Sequence, residues 1–307
     1  MDDAGVSLPS TTPSSTVTRF APSPTGLLHL GHAYSAMFAQ AAAGGGRFLL
    51  RIEDIDQGRC RPAFEAAIFE DLAWLGLTWE QPVRRQSRHM AEYGAALARL
   101  EHDGLLYPCF CTRTEIQREI AAAASAPHLV KMGPDGPLYP GTCRRLPMHA
   151  RQQRIDAGSP YALRLDMEAA RSLAGPLRWC DELRGETPAT PEIFGDIVLA
   201  RKDTPASYHL ACTWDDALQG VTLVTRGEDL LAATHIHRLL QALWKLPVPR
   251  YRHHPLITDA AGRKFSKRDE APTLQALRER GKSPQDVFAE IGADYMALAS
   301  RNAGGQT

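Results

Sequence analysis

Two histidines near the start of the chain have a spacing that could bind phosphate. His29 and His32 flank Gly31 in the tetrapeptide His-Leu-Gly-His, directly after a loop rich in proline and glycine. The loop leads into a predicted helix, and the amino end of a helix attracts anionic oxygens. Gly31 has no side chain, so a phosphate can approach closely. Tetrapeptides of this kind also occur incidentally, so the pattern alone does not establish a nucleotide site.

A second group of candidate residues carries positive charge toward the other end of the chain. Lys264 and Lys267 lie next to Arg268 in the sequence KFSKR. Flexible ammonium groups at this spacing could reach a polyphosphate, and the alternative is an ordinary basic loop.

The formal net charge of the 307 residues is zero, but the basic residues are unevenly distributed. Seven basic residues and one acid, Asp259, lie between Lys245 and Arg268. Such clusters indicate a polyanionic partner such as RNA, with solvated loops as the alternative. A second basic cluster consists of Arg144, Arg145, Arg151 and Arg154. The candidates for contacts with RNA phosphates are Arg250, Arg252 and Arg263.

The sequence around the two histidines predicts a strand over 17–21, a helix over 31–43 and a strand over 47–52. Prolines end the first strand, and a triple glycine at 44–46 ends the helix. This order predicts an α/β fold with a parallel sheet, whose ligands bind beyond the carboxyl ends of the strands. Later segments predict strands over 161–166, 197–201 and 221–225, and helices over 62–75, 89–103 and 234–244.

Three of the six cysteines, Cys109, Cys111 and Cys143, lie in one segment, 108–150, that lacks a regular hydrophobic pattern. We interpret it as an insertion in which a structural zinc ion replaces a missing hydrophobic core. Three thiolates need a fourth ligand, and ligand chemistry favours His102 or His149. Free thiols are the alternative.

The two phosphate motifs, in this order and about 230 residues apart, resemble the signature motifs of the class I aminoacyl-tRNA synthetases. The stretches RFAPSPTG at 19–26 and RIEDID at 51–56 resemble the glutamyl branch of that class. The resemblance runs from residue 18 to residue 268 and implies a Rossmann-type parallel sheet. The short chain and its cysteine insertion are most similar to the glutamyl-queuosine tRNA-Asp synthetases, which are paralogues reduced to the catalytic region.

This resemblance implies a ligase that forms glutamyl-adenylate from L-glutamate and ATP without tRNA. It then passes glutamate to queuosine at the wobble position in the anticodon loop of tRNA-Asp. His29, Gly31 and His32 would bind ATP, Lys267 with support from Lys264 would neutralise the departing pyrophosphate, and Mg²⁺ would accompany the ATP.

The resemblance also implies a glutamate pocket. Arg19 would pair with the side-chain carboxylate, because a guanidinium binds carboxylate through two hydrogen bonds and matches glutamine poorly. Glu53 would hold the α-ammonium group, Ser23 would orient the substrate, and Tyr208 and Arg226 would line the pocket. By the same resemblance, the fourth zinc ligand is Tyr139.

The acids after the second strand have two other interpretations, surface ion pairs or a magnesium cage. The ion pairs would form among Arg51, Glu53, Asp54 and Asp56, and the cage would use the three carboxylates of this group.

Two further functions compete with this interpretation. A glutamyl-tRNA synthetase charging the terminal ribose reads its anticodon with a distal helical region, for which the 39 residues after Arg268 are too few. A catalytically silent RNA-binding paralogue would not need both motifs.

The sequence shows neither a signal peptide nor an apolar run of about 18 residues, so we expect the protein to be located in the cytoplasm and not in a membrane. We also expect no obligatory protein partner. The predicted organisation is a disordered arm at 1–16, the first half of the catalytic domain at 17–107, the zinc insertion at 108–150, the rest of the catalytic region at 151–268 and a short helical segment with a tail at 269–307.

Overall fold

A computed structural model of the chain describes residues 15–123, 131–257 and 272–291. The strands in these residues are β1 (Val17–Phe20), β2 (Arg47–Ile52), β3 (Glu80–Arg85), β4 (Leu106–Cys109), β5 (Met132–Gly133), β6 (Gly136–Pro137), β7 (Ala162–Leu165), β8 (Arg178–Asp181), β9 (Gly185–Pro188), β10 (Val198–Ala200), β11 (Leu223–Gly227) and β12 (Arg250–His254).

The α-helices in the same residues are α1 (Leu30–Ala43), α2 (Pro62–Trp74), α3 (Met90–His102), α4 (Arg113–Ala123), α5 (Met148–Asp156), α6 (Met167–Ala174), α7 (Tyr208–Leu218), α8 (Ala233–Leu243), α9 (Leu274–Glu279) and α10 (Pro284–Ile291). None of these described helices is long and apolar enough to cross a membrane.

The predicted strand, loop, helix and strand at the start of the chain are confirmed as β1, α1 and β2. Gly44 ends α1 in the left-handed conformation, with φ at 57°, and its N–H donates to the carbonyl of Ala41. A Cβ atom at Gly46 would collide with the carbonyl oxygen of Thr16. The triple glycine therefore lets the chain turn tightly back toward β1.

Strand β1 links two groups of parallel strands. The first has the order β3-β2-β1 and the second has the order β11-β12-β8-β9, in which only β9 is antiparallel to its neighbour. At the junction, Thr222 N donates to Val17 O at 3.0 Å, and Val17 N donates to Thr222 Oγ1 at 2.9 Å. The chain order reverses between β1 and β11, and ligands of α/β sheets bind at such a point.

Helix α1 lies at the centre of this arrangement. It packs against both β1 and β11, and most of its residues are buried in one core with β2 and α2. Leu274 and Leu277 of α9 and Val287 of α10 pack into the same core. The described C-terminal helices therefore support the helix that carries the two candidate histidines.

The segment that follows β4 is more regular than its sequence predicted. Strand β4 pairs with β7, which pairs with β10, in an antiparallel sheet, and α4, the β5–β6 hairpin and α5 lie between β4 and β7 in the chain. The sequence did not predict these elements, and the interpretation of 108–150 as an insertion stays a prediction. Helix α4 begins at a capping box, in which Glu115 N donates to Thr112 Oγ1 and Thr112 N donates to the Glu115 carboxylate.

Candidate active site

A cavity of about 490 Å³ lies beyond the carboxyl ends of β1 and β11. Every predicted catalytic and glutamate-binding residue in the described part of the chain lines it. These residues are Arg19, Ser23, His29, Gly31, His32, Glu53, Tyr208 and Arg226. Lys264 and Lys267 lie outside the described residues.

The two histidines hold each other at the start of α1. His29 is the N-cap residue, and its Nδ1 accepts from Gly31 N at 3.1 Å. His32 Nδ1 accepts from His29 N at 3.2 Å, and the two ring centroids are 3.9 Å apart. A neutral imidazole that accepts at Nδ1 carries its proton on Nε2. Both rings are therefore in the tautomer that donates a hydrogen bond from Nε2, as phosphate binding requires.

The loop before these histidines is fixed to the sheet. Glu53 N donates to Pro22 O at 3.0 Å, and Leu274 N donates to Leu28 O at 2.8 Å. His29 forms a β-bridge with Thr273, and Ile257 lines the cavity. The second phosphate motif lies within residues 258–271, outside the described residues.

Four charged side chains form a buried network at the cavity. Arg19 Nε donates to Asp216 Oδ1 at 2.9 Å, and Arg51 NH1 donates to the same oxygen at 2.8 Å. Arg51 NH2 also donates to Glu53 Oε1 at 3.2 Å. Burial acts to raise the pKa of Asp216, but the two guanidinium charges outweigh it and lower that pKa. Burial raises the pKa of Glu53, against the pull of Arg51.

The interpretation of these acids as surface ion pairs was wrong for most of them. Arg51, Glu53 and Asp54 are buried, and Asp54 accepts from Ser87 N at 2.8 Å. Asp56 alone among these acids forms a more exposed pair, with Arg59. Among the described residues the group placed closely enough to hold a metal ion is formed by Cys109, Cys111 and Cys143, so these acids are not grouped as a magnesium cage requires.

Arg226 is held by neutral groups. Its Nε donates to His253 Nε2 at 3.1 Å, its NH2 donates to Thr234 Oγ1 at 2.7 Å, and its NH1 lies 3.1 Å from His237 Nδ1 and 3.4 Å from Tyr208 Oη. Burial lowers the pKa of His253 to about 4 and lowers that of His237 well below its usual value. Burial also raises the pKa of Tyr208. All three groups are therefore neutral at pH 7.

The three predicted cysteine ligands come together at the end of β4. The sulfur atoms of Cys109, Cys111 and Cys143 all lie within 4.8 Å of one another, and this described group includes neither His102 nor His149. Tyr139 Oη lies 3.4 Å from Cys109 Sγ and 3.5 Å from Cys111 Sγ. Cys111 Sγ and Cys143 Sγ are 3.3 Å apart, and Tyr139 Oη accepts from Cys143 N at 2.8 Å. Three sulfurs and one phenol oxygen this close together could serve as the four ligands of one tetrahedral metal ion.

The hypothesis that Arg250 and Arg252 contact RNA phosphates is wrong for Arg252. The Arg252 side chain is buried, and its Nε donates to Glu182 Oε2 at 2.7 Å. Arg250 is half-exposed and pairs with Glu182 Oε1 at 2.5 Å. Arg263 lies outside the described residues.

The second basic cluster also has partners within the protein. Arg144 lies 3.5 Å from Asp196 Oδ1, and Arg154 lies over the ring of Phe110. These arginines therefore support the cysteine-bearing part of the fold.

Comparison with known proteins agrees with this geometry. The family described as tRNA synthetases class I (E and Q), catalytic domain, matches residues 15–302. The chain belongs to this synthetase family. A glutamyl-Q tRNA(Asp) synthetase of Rhodobacter capsulatus is 50% identical over 283 residues, which cover 90% of this chain and 99% of that protein. The protein of the same name from Nocardia farcinica is 44% identical over 285 residues, covering 92% of this chain and 85% of that one.

The similarity to synthetases extends from the sequence motifs to the three-dimensional fold of a solved structure. The glutamate tRNA ligase of Elizabethkingia meningosepticum, crystallised with its amino acid, superimposes with a TM-score of 0.76 at 26% identity. The match covers 94% of this chain and 65% of that ligase. The predicted class I fold and the resemblance to the glutamyl-Q tRNA(Asp) synthetases are confirmed.

Sequence reasoning missed four residues of this synthetase site, Asp181, Asp216, His237 and His253. Asp216 has a readable signal, since Asp215 and Asp216 interrupt an otherwise largely apolar stretch in α7. Buried acids need partners. The other three carry no such signal, because a single histidine or aspartate in a strand or helix is ordinary.

Proposed function

We propose that this synthetase activates L-glutamate with ATP and transfers the glutamyl group to queuosine at the wobble position of tRNA-Asp. The single observation that carries the proposal is the cavity in which His29 and His32 meet the buried guanidinium groups of Arg19 and Arg226. A site that binds phosphate at one end and carboxylate at the other fits the two substrates of adenylate formation.

In the first step an oxygen of the glutamate α-carboxylate attacks the α-phosphorus of ATP, and the bond to pyrophosphate breaks. The Nε2–H groups of His29 and His32 donate hydrogen bonds to phosphate oxygens as charge develops on them. Lys267 and Lys264 are proposed from the sequence motif to neutralise the departing pyrophosphate. Mg²⁺ bound with ATP would shield the charge of the phosphates.

The glutamate pocket is formed by groups that the protein itself holds in place. Glu53 offers a carboxylate to the α-ammonium group, Arg19 and Arg226 offer guanidinium groups to carboxylates, and Tyr208 and Ser23 complete the lining. Arg19 is fixed by Asp216 and by the carbonyl of Thr225. Because these contacts need no RNA, we propose that glutamate is activated before tRNA binds.

In the second step a hydroxyl of the queuosine cyclopentene-diol attacks the carbonyl carbon of the adenylate. The bond to AMP breaks, and the hydroxyl proton leaves with the phosphate or water. A cis-diol presents the same nucleophile as a terminal ribose, so one site can serve this acceptor. An anticodon loop can present its bases to an active site directly. Because the proposed acceptor is tRNA-Asp, we propose that the protein acts in the cytoplasm.

We also propose that Cys109, Cys111, Cys143 and Tyr139 hold a structural zinc ion. When bound, the ion would crosslink the end of β4 to the loop before α5. The 108–150 segment is then the zinc-bearing insertion of a catalytic region that occupies 17–107 and 151–268, with an arm before it and a helical segment with a tail after it.

Two assays test the proposed reaction. ATP–pyrophosphate exchange should require glutamate, proceed without tRNA and be poor with glutamine. Labelled glutamate should pass to tRNA-Asp from cells that make queuosine and not to tRNA-Asp from cells that cannot. Equal labelling of both tRNAs, or loss of label after removal of the terminal adenosine, would instead identify charging of the terminal ribose.

A further inference from the structure

We propose that Asp181 and His253 are positioning residues that hold Arg226 as the unneutralised cation of the glutamate pocket, where it pairs with a substrate carboxylate. The inference rests on the proposed activation of glutamate in this cavity. It goes further because it assigns a positioning role to two buried residues behind the pocket, Asp181 and His253.

The two arginines of the pocket differ in their counter-ions. Arg19 lies against the Asp216 carboxylate, with Nε at 2.9 Å and NH2 at 3.4 Å from its two oxygens. Arg226 is only 5% exposed, yet no carboxylate of the described residues lies within ion-pair distance of it, and its partners are two imidazoles and two hydroxyls. A buried cation without a counter-ion is unfavourable. A substrate carboxylate would supply the missing negative charge.

The sheet aligns Arg226 with its two positioning residues, His253 and Asp181. Arg226 of β11 is the register partner of His253 in β12. In the next pair of strands, Asp181 of β8 is the register partner of Tyr251, which lies two residues before His253 in β12 and therefore on the same face. Parallel neighbours in register place side chains on the same face. The row Arg226, His253, Asp181 therefore crosses three adjacent strands.

Hydrogen bonds in this row fix the tautomer of His253. Asp181 Oδ2 lies 2.7 Å from His253 Nδ1 and also accepts from His253 N at 3.0 Å. The other oxygen, Oδ1, accepts from the backbone N–H groups of Leu183 and Arg184 at 2.9 and 3.1 Å. The imidazole proton therefore lies on Nδ1, and Nε2 is left to accept from Arg226 Nε at 3.1 Å.

A second imidazole holds the other edge of the guanidinium. His237 Nδ1 lies 3.1 Å from Arg226 NH1, and His237 Nε2 lies 3.2 Å from His209 Nδ1. Both positioning histidines are buried, and both accept from Arg226 without adding negative charge. They orient the guanidinium and leave its charge for the substrate.

Two substitutions at one position separate positioning from a general structural role. In His253→Gln the amide oxygen can occupy the place of Nε2 and accept from Arg226. In His253→Asn the shorter amide can donate to Asp181 but leaves Arg226 Nε without its acceptor. We expect the Asn variant to raise KM for glutamate about tenfold or more, with KM for ATP within about twofold of wild type. We expect the Gln variant to stay within about threefold of wild type for both.

The measurements are ATP–pyrophosphate exchange at varied glutamate and ATP, glutamate binding by calorimetry, and urea unfolding of each variant. Equal increases in glutamate KM for both variants, following their loss of stability, would overturn the inference in favour of a structural role. Unchanged glutamate KM and affinity in the Asn variant would overturn it as well. If the wild-type protein showed no glutamate-dependent exchange, the proposed function would fail instead.

Discussion

Asp216 Oδ1 accepts hydrogen bonds from Arg19 of β1 and Arg51 of β2, at 2.9 and 2.8 Å. One buried carboxylate from α7 therefore binds two buried guanidinium groups from neighbouring strands. It fixes the position of Arg19 in the cavity and offsets part of the positive charge there.

We expect Asp216→Asn to destabilise the protein by about 3–5 kcal/mol, since it leaves two buried cations short of a counter-ion. Urea unfolding monitored by circular dichroism would measure the change. The matched control is Asp56→Asn, because Asp56 pairs with Arg59 near the surface, and its expected cost is about 0–1 kcal/mol. Similar values for the two variants would show that the buried network contributes little.

We expect Lys267→Ala to slow glutamate-dependent ATP–pyrophosphate exchange by about a hundredfold, the scale of losing one preorganised charge contact to a transition state. Its unfolding curve should match wild type. Lys131→Ala is the control, since Lys131 is exposed and does not line the active-site cavity. Near-normal exchange in the Lys267 variant would reduce the second motif to a basic loop.

Protein purified without chelator should contain about one zinc ion per chain. Cys143→Ser should lose it and loosen the surrounding segment, because a structural metal site and its local fold form together. Cys60→Ser should keep the metal, since Cys60 lies outside the cysteine group. Elemental analysis decides between these outcomes. Less than about a tenth of an equivalent in wild type would rule out the site, and retention of zinc in Tyr139→Phe would exclude the phenol as ligand.

Asp71 of α2 gives a pH-dependent prediction. It is fully buried, neither of its oxygens accepts a hydrogen bond from the described residues, and burial raises its pKa from 3.8 to about 6 despite the pull of Arg278. Between these values the folded state holds a proton that the unfolded state has released. Stability from this group is therefore present at low pH and is lost as pH rises through about 6.

Asp71→Asn removes this dependence. We expect the free energy of unfolding of the variant minus that of wild type to be about 1 kcal/mol larger at pH 7.5 than at pH 5, so that the variant is relatively more stable at the higher pH. Urea unfolding of wild type and variant at pH 5 and at pH 7.5 measures this difference. The contributions of the other titrating groups are the same in both proteins and cancel. A difference independent of pH would show that Asp71 titrates normally.

The sequence predicted the parts of the site that depend on local signals. Prolines and glycines mark the ends of β1 and α1, so the residue pattern was enough to place His29 and His32 at a helix start. The cysteines could be grouped because they share one segment. Helix α4 was missed although Thr112 and Glu115 form a readable capping box.

Long-range pairing is what the sequence alone did not reveal. Arg19 and Asp216 are 197 residues apart, and hydrophobic periodicity identifies a buried face without naming what lies opposite. The row from Arg226 to His253 and Asp181 depends on strand register, which the pattern of a single strand does not specify. The family motifs supplied the described residues that line the cavity, and the groups that hold them appeared only in the structure.

The junction between β1 and β11 joins positions about 205 residues apart, and this has a consequence for synthesis on the ribosome. Val17 to Phe20 emerge long before Leu223, so β1 is an open sheet edge until β11 is made. Open edges invite pairing with strands of other chains. Arg19 points inward from this edge, and an inward charge is one of the features that discourage such pairing. We therefore expect the same guanidinium that lines the finished pocket to discourage pairing with other chains while this edge is open.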